Sequence, residues 1–376
     1  TNKSALLTGE YKLHDDLSVS VNDDIREADP LAKISKSRKD NLIVIGGPPC
    51  QSYSLAGRAK LRSLGEHRKH TNDKRGELFN DFLNVAIKAE AKAVVMENVP
   101  QAIKYGDQCI PEISCNILEK AGYRAIWTIL NAADYGVPQH RNRMFVIAIR
   151  SEYGINPTIP APTHFNQLKK GGSLKWNFKR FAEDFDHFVA PKISSKGSPW
   201  VTVSDALSDL PSIFASPTNK YQLHKPTELI PYGFLPKNKF QKIMRGSASS
   251  VSGHGFRKTL RDFPIFDQMK EGDNYLNASI IADQLLSKKI IQAGVDSSKD
   301  NERYALMRKR TVPPYDRTKF PDKWKRLHNS KTSHTLPAHL GTDTYSHIHP
   351  TEPRGITVRE AARLQSFPDN FVFPCT

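Results

Sequence analysis

Three kinds of side chain in this sequence are placed for chemistry by their neighbours. Asn41–Ile45 (NLIVI) is a short apolar run rich in β-branched residues, and it stops abruptly at Gly46-Gly47-Pro48-Pro49. That pattern predicts a buried strand ended by a rigid turn. Pro49 fixes its own φ and biases Pro48 toward extended backbone, so the next residue, Cys50, is presented in a defined direction. A thiol so presented can act as a nucleophile. A lone cysteine is more often a small buried hydrophobe, and spacing alone leaves both readings open. Glu97 closes a second apolar run, Ala93–Met96, and suits either proton transfer or a structural ion pair with an arginine. Arg141 and Arg143 alternate on an extended segment, which points both to one face and Asn142 to the other. Fixed positive charge there would stabilise a developing anion.

The elements that must hold these groups follow from the pattern around them. Arg75-Gly-Glu-Leu-Phe79 opens a helix running to about Ala91, with Phe79, Phe82, Leu83 and Ala86 recurring at helical spacing. A further helix is expected over Ile110–Ala121, stopped by Gly122. Strand and helix alternate from Leu42 to Ala121, which predicts an α/β sheet with ligands at the carboxyl ends of its strands. Arg124–Asn131 and Met144–Ile149 read as an added antiparallel pair, with Gln139–Arg143 in the turn between them. Gln51–Lys74 is polar, glycine-dotted and basic, a loop suited to ordering on a phosphate backbone.

With 376 residues, the chain is long enough for one large domain and a smaller one. Its 55 Lys+Arg against 39 Asp+Glu give a net charge of +16, which points to a polyanionic partner. No apolar run approaches the roughly 20 residues of a membrane span. Cys50, Cys109, Cys115 and Cys375 show no CxxC pair and no metal-ligand spacing. A reducing, cytoplasmic setting is expected. Beyond Ser151 the periodicity fades. Thr202–Pro211 holds one short helix with Ser204 as its N-cap, and Gly253 to Ser330 is basic with interleaved aromatics, including Tyr315 and Trp324 beside Arg326, a composition that suits a DNA-facing surface. Thr357-x-x-Glu360 is a capping box, followed by Ala361, Leu364 and Phe367 on one helical face.

PPCQ at 48–51, ENV at 97–99, QHRNR at 139–143 and the block Arg354–Phe371, in that order, resemble the C5-cytosine DNA methyltransferase family, of the bacterial modification type. The resemblance extends through nearly the whole chain and is weakest between 151 and 250. It implies a Rossmann-like methyltransferase sheet with a second, smaller and irregular target-recognition domain. The expected organisation is a catalytic part over 1–150, a connector over 151–214, target recognition over 215–335, and a C-terminal segment over 336–376 returning to the interface between the domains.

The same resemblance implies catalytic roles for Cys50, Glu97, Arg141 and Arg143. Cys50 adds to C6 of a flipped-out cytosine, because C5 becomes nucleophilic only after that addition. Glu97 supplies a proton to N3 and bonds the exocyclic amine, Arg141 holds O2, and Arg143 braces the loop or phosphates. S-adenosyl-L-methionine is the implied cofactor, with Asp24, Pro48 and Leu78 at its site. Double-stranded DNA is the implied partner, met by a monomer at the bacterial nucleoid.

Two family blocks, an FxGxG cofactor loop and an xGNxVPP-like stretch, have no counterpart in the sequence. The expectation is a truncated sheet with weak cofactor binding, or a complementary polypeptide that supplies the missing part. Alternatives are a tRNA cytosine methyltransferase and a non-catalytic DNA-binding subunit. The long recognition region favours DNA, and retention of Cys50, Glu97, Arg141 and Arg143 together favours an enzyme.

Overall fold

The computed structural model describes residues 24–26, 41–49, 77–166, 177–192, 197–213, 228–256, 259–296, 300–317, 323–337 and 345–373. Cys50 and the 51–74 loop lie outside them. The described chain falls into two compact units, Val21–Gly136 with Arg141–Trp200, and Val137–His140 with Val201–Thr376.

The first unit is built on four strands: β1 (Ile43–Gly46), β2 (Ala93–Asn98), β3 (Tyr123–Asn131) and β5 (Asn142–Arg150); β4 (Gln139–His140) belongs to the other unit. Their order is β1-β2-β5-β3. β1 runs parallel to β2, with Gly46 opposite Met96. β3 and β5 form the expected antiparallel pair, but β5 sits between β2 and β3 and pairs with both. The arginines are therefore part of a central strand and its approach rather than of an outlying turn.

Register explains which side chains are buried. Val94 faces Ala148 and Ala125, and Met96 faces Val146 and Trp127, so these residues share one face of the sheet. Helices α1 (Leu78–Lys88) and α2 (Ile110–Lys120) contribute to the same core. α1 buries Phe79, Phe82, Leu83 and Ala86, the stripe its sequence spacing predicts. α2 has proline in its first turn, and Gly122 follows its end at φ +87°, a conformation that suits glycine. Trp127 anchors this core. Its indole N–H donates to Glu112 Oε2 at 2.6 Å, and Phe181, Phe185 and Phe188 from α3 (Phe178–Asp184) and the turn after it pack on its ring. Truncating a fully buried residue such as Leu83 to alanine costs about 2–5 kcal/mol. Two short strands, β6 (His164–Phe165) and β7 (Ser198–Pro199), pair in parallel at the end of this unit.

The second unit is a helical and irregular assembly. In chain order it contains β4, α4 (Val203–Leu207), β8 (Ile230–Pro231), α5 (Lys239–Arg245), β9 (Ser250–Val251), α6 (Phe263–Gln268), α7 (Tyr275–Ala293), α8 (Asn301–Thr311), β10 (Ser333–His334) and α9 (Val358–Arg363). Its core gathers Val203, Val251, Ile265, Phe266, Tyr275, Trp324, Ile348 and Leu364.

Three local expectations are corrected here. The cap of α4 is Thr202, not Ser204: its Oγ1 accepts from Asp205 N at 3.1 Å while Asp205 accepts from Thr202 N at 2.9 Å, a reciprocal box that Ser204 has no acidic partner to make. Trp324 and Arg326 face inward rather than outward: Trp324 is fully buried, and the Arg326 guanidinium donates to the carbonyls of Phe266, Met269 and Pro350. On α9 the Thr357–Glu360 box forms, yet Phe367 is partly exposed while Arg359 and Arg363 are wholly buried. Arg363 bridges Asp369, at 2.7 and 2.6 Å, and Asp209, at 2.9 and 3.2 Å. A charge so placed is tolerated only when paired and hydrogen-bonded, which apolar periodicity does not reveal.

Candidate active site

The strand ends of the first unit bring the candidate groups together. β1 delivers the chain to Gly46, where an added Cβ would lie 2.5 Å from Phe82 Cε2. Only a glycine lets the strand pass that close to α1. At Gly47 an added Cβ would lie 3.2 Å from Glu97 Oε2, so the turn backbone lies against the carboxylate of the neighbouring strand. Pro48 is buried and Pro49 exposed.

Asn98 fixes this turn. It is 2% exposed, its Nδ2 donates to Pro48 O at 3.2 Å, and its Oδ1 accepts from Val99 N at 2.8 Å. One buried amide thus ties the turn that carries Cys50 to the strand that carries Glu97. The sequence reading missed this role. The signal that could have found it is the strand alternation, which sends Asn98 inward with Val94 and Met96 and obliges its amide to find partners.

Glu97, Arg141 and Arg143 share the opposite face. Arg143 Nε donates to Glu97 Oε1 at 2.7 Å, and Arg141 NH2 lies 4.0 Å from the same oxygen. Arg143 is also held through NH1 to Asn142 O at 2.7 Å. The Arg141 backbone is pinned by Asn131, whose Oδ1 accepts from Arg141 N at 3.1 Å, while Ala132 N donates to Arg141 O at 2.9 Å. The Glu97 side chain keeps 37% exposure and Arg141 33%. The cluster is therefore preorganised by its backbone and still open to a ligand. It offers a carboxylate and two guanidiniums on one side, a net positive site suited to an electron-rich ring with carbonyl and amine edges.

Gln139, the first residue of the QHRNR block, does separate work in the second unit. It is fully buried; its Nε2 donates to Leu364 O at 3.2 Å, and β4 pairs in parallel with β10. This motif glutamine secures the C-terminal helix.

Leu78 and Asp24 are carried by other segments of the first unit. Leu78 is half-buried at the start of α1. The Asp24 carboxylate is at the surface, and among the described residues its partner is Arg26, at 2.9 and 2.5 Å. Those hydrogen bonds hold Asp24 well below the usual carboxylate range. Burial pushes the Cys109 thiol up to about 11 and raises Cys115 further. Neither ionises near neutral pH, so neither is a competent nucleophile.

A family model described as C-5 cytosine-specific DNA methylase matches residues 11–376. The chain belongs to that family and is a DNA (cytosine-5-)-methyltransferase. M.OihORF3336P of Oceanobacillus iheyensis, assigned as a type II methyltransferase, is 51% identical over 346 residues, spanning 90% of this chain and 75% of that protein. The type II methyltransferase M.AgeI of Thalassovita gelatinovora is 30% identical over 354 residues, 88% of this chain and 76% of its own. In three dimensions, a crystal structure reported as a prophage-encoded DNA modification methyltransferase of E. coli aligns with a TM-score of 0.56 at 20% identity, covering 98% of this chain and 81% of that one. That likeness is one of fold.

Proposed function

We propose that this chain methylates C5 of a flipped-out cytosine within a specific duplex sequence, using Cys50 as nucleophile and S-adenosyl-L-methionine as methyl donor. The role is that of a modification enzyme in a restriction–modification system, as for the type II relatives, acting on DNA in the cytoplasm. The observation that carries the reading is the convergence of Glu97, Arg141 and Arg143 on one face at the strand ends, with Asn98 tying the turn before Cys50 to the same strand.

Cys50 adds through its thiolate to C6, and electron density moves onto the ring. Glu97 bonds the N3 edge and exocyclic amine and supplies the proton that limits charge build-up. Arg141 faces O2, where its fixed charge stabilises the adduct. Arg143 holds Glu97 in place. With the methyl group on C5, loss of the C5 proton and expulsion of Cys50 restore the enzyme. Extruding the base costs a few kcal/mol of stacking and pairing, offset by cationic contacts to phosphates.

Asp24, Pro48 and Leu78 suit part of the methyl donor, while the two cofactor blocks noted above have no counterpart in the sequence. At Gly46 and Gly47 the space a Cβ would take is filled by Phe82 and bordered by Glu97, so the strand end packs against the protein's own side chains there. Asp24 offers an ionised acceptor for hydroxyl and amine donors of an adenosine, Leu78 an apolar wall, and Pro48 a rigid edge. When bound, this cofactor supplies the electrophilic methyl group.

The test is transfer of labelled methyl groups to duplex DNA, followed by bisulfite mapping of C5. The expected result is modification at one sequence by the native chain and none by Cys50→Ser, with duplex binding retained. Methylation that persists in Cys50→Ser would remove the thiol from the reaction.

A further inference from the structure

Arg141 lies one residue beyond the regular ladder of its sheet. The β3–β5 pairing ends at Asn131 opposite Asn142, and after Asn131 the chain leaves the sheet in a short 3-10 turn, Ala132–Tyr135. Strand pairing therefore fixes Arg143 directly and Arg141 only at its border. The ion pair adds little. Arg141 NH2 stands 4.0 Å from Glu97 Oε1, against 2.7 Å for Arg143 Nε, and a part-exposed contact at the longer distance orients weakly. What fixes the Arg141 backbone is the turn. Asn131 Oδ1 accepts from Ala133 N at 3.3 Å and from Arg141 N at 3.1 Å, while Ala132 N donates to Arg141 O at 2.9 Å. One side chain thus caps the turn and closes its neck on the arginine.

The turn is held in its own right by the stretch after Ser151, where sequence periodicity fades. β6 and β7 pair there as a two-stranded ribbon, His164 with Ser198 and Phe165 with Pro199. Thr163 N donates to Asp134 O at 2.9 Å, and the Trp200 indole N–H donates to Asp134 Oδ1 at 2.8 Å. The Tyr135 hydroxyl donates to Pro160 O at 2.9 Å, and burial pushes this phenol up to about 12, so it keeps its proton. The His164 ring fills the space beside Gly136, where an added Cβ would lie 2.7 Å from its Cε1. Ser198 N donates to Thr163 O at 3.1 Å and Trp200 N to Phe165 O at 3.0 Å, which ties the ribbon together. Asp134, Tyr135 and Gly136 are thus engaged in succession. Ordering so many groups costs conformational entropy, and the common effect of these bonds is to immobilise the residues that close on Arg141.

We propose that Asn131 and, behind it, the Asp134–Trp200 bond are positioning elements for Arg141, setting the point from which its guanidinium reaches O2 of the target base. The inference rests on the role given to Arg141 above and assigns a task to the ribbon, which that role leaves unexplained. Asn131 supplies geometry and takes no part in proton or methyl transfer. Because both of its bonds are accepted at one oxygen, aspartate preserves them and alanine removes them.

The test compares Asn131→Ala, Asn131→Asp and Trp200→Phe in the full chain, each with and without Arg141→Ala, at a temperature where melting curves show every variant folded. Hydrogen exchange read by mass over residues 139–145 reports the brace itself. Exchange there should quicken in Asn131→Ala and Trp200→Phe, stay native in Asn131→Asp, and remain unchanged over residues 93–98 in all of them. Single-turnover methylation reports its use. Asn131→Ala should lose about ten- to a hundredfold in rate, Trp200→Phe less, and Asn131→Asp little. In the Arg141→Ala background Asn131→Ala should cost no further rate, because its effect passes through that guanidinium. The same loss in both backgrounds, or none in either, would mark Asn131 as a structural cap and overturn the inference. Native exchange over 139–145 in Asn131→Ala would overturn it too. Arg141→Ala methylating at the native rate would refute the role of Arg141 and the inference with it. Absence of methylation in the native chain itself would fail the enzyme reading, and hydrogen exchange would still decide the brace.

Discussion

Asn98 offers the sharpest test of how the site is assembled. Replacing it with alanine removes the 3.2 Å bond to Pro48 O and the 2.8 Å bond to Val99 N at a position that is 2% exposed. Each lost partner leaves a buried backbone group unsatisfied, at about 1–3 kcal/mol apiece. A stability loss of about 2–6 kcal/mol is expected by that arithmetic, against the 5–15 kcal/mol that a domain commonly has. A kinetic effect should accompany the thermodynamic one, because the lost tie positions the turn that leads to Cys50. A misplacement of about 1 Å costs roughly a hundredfold in rate. Urea unfolding gives the first quantity and single-turnover methylation at a temperature where the variant is folded gives the second. Leu118→Ala, a fully buried position on α2, is the control, with a stability loss of about 2–5 kcal/mol and no change in rate. If Asn98→Ala and Leu118→Ala lose stability alike and both keep the native rate, Asn98 is merely a satisfied core amide and the positioning role is wrong.

Glu97→Gln keeps the shape of the side chain but loses the charge paired with Arg143; on this half-exposed pair the stability change should stay below about 1 kcal/mol, while single-turnover methylation falls about 10²–10⁴-fold. Gly46→Ala should destabilise by about 1–3 kcal/mol through the clash with Phe82, and Phe82→Leu in the same chain should recover much of that loss in a double-mutant unfolding experiment. Arg363→Ala leaves Asp209 and Asp369 buried without their guanidinium, and chemical denaturation should register about 3–5 kcal/mol. The two units should respond to acid in opposite senses, as followed by calorimetry from pH 7.5 to 5. In the second unit burial lowers His254, His347 to about 3 and His349 to about 4. The stability they give is full above the unfolded value of about 6.5 and declines as pH falls toward the folded values. In the first unit burial would depress His187, but its bonds to Glu112 and Glu119 outweigh this and raise it. Its contribution is present below about 6.5 and fades as pH rises through the folded value. A second-unit transition that is insensitive to this range would contradict the assignment of buried neutral histidines.

Much of the first unit is legible in the sequence because its signals are local. The β-branched run stopped by Gly-Gly-Pro-Pro, the Phe79–Phe82–Leu83–Ala86 stripe and Gly122 each announce an element without knowledge of its partners, although the first strand is not buried as expected: it lies at the sheet edge with Ile43 58% and Ile45 74% exposed. The alternation of Arg141, Asn142 and Arg143 likewise suffices to place both guanidiniums on one face, where the structure has them against Glu97. What local pattern does not encode is pairing. Nothing in Met144–Ile149 says that its strand inserts beside β2 rather than appending at an edge. The second unit is harder for the same reason. Its buried arginines read as surface in any periodicity, because the carboxylates that make them tolerable are remote in sequence: Asp209 lies 154 residues from Arg363. Trp324 and Arg326 show the converse error, since a basic and aromatic composition suggests a DNA face while their environment is core.

The most direct measurement is covalent trapping on a duplex carrying 5-fluorocytosine at the methylated site, with S-adenosyl-L-methionine present and the product digested and mapped by mass. Fluorine at C5 blocks the final elimination, so the proposed mechanism gives a peptide cross-linked through Cys50 to a methylated, fluorinated base. A cross-link at another residue, or efficient methylation of ordinary duplex with no trapped species on the fluorinated one, would contradict it.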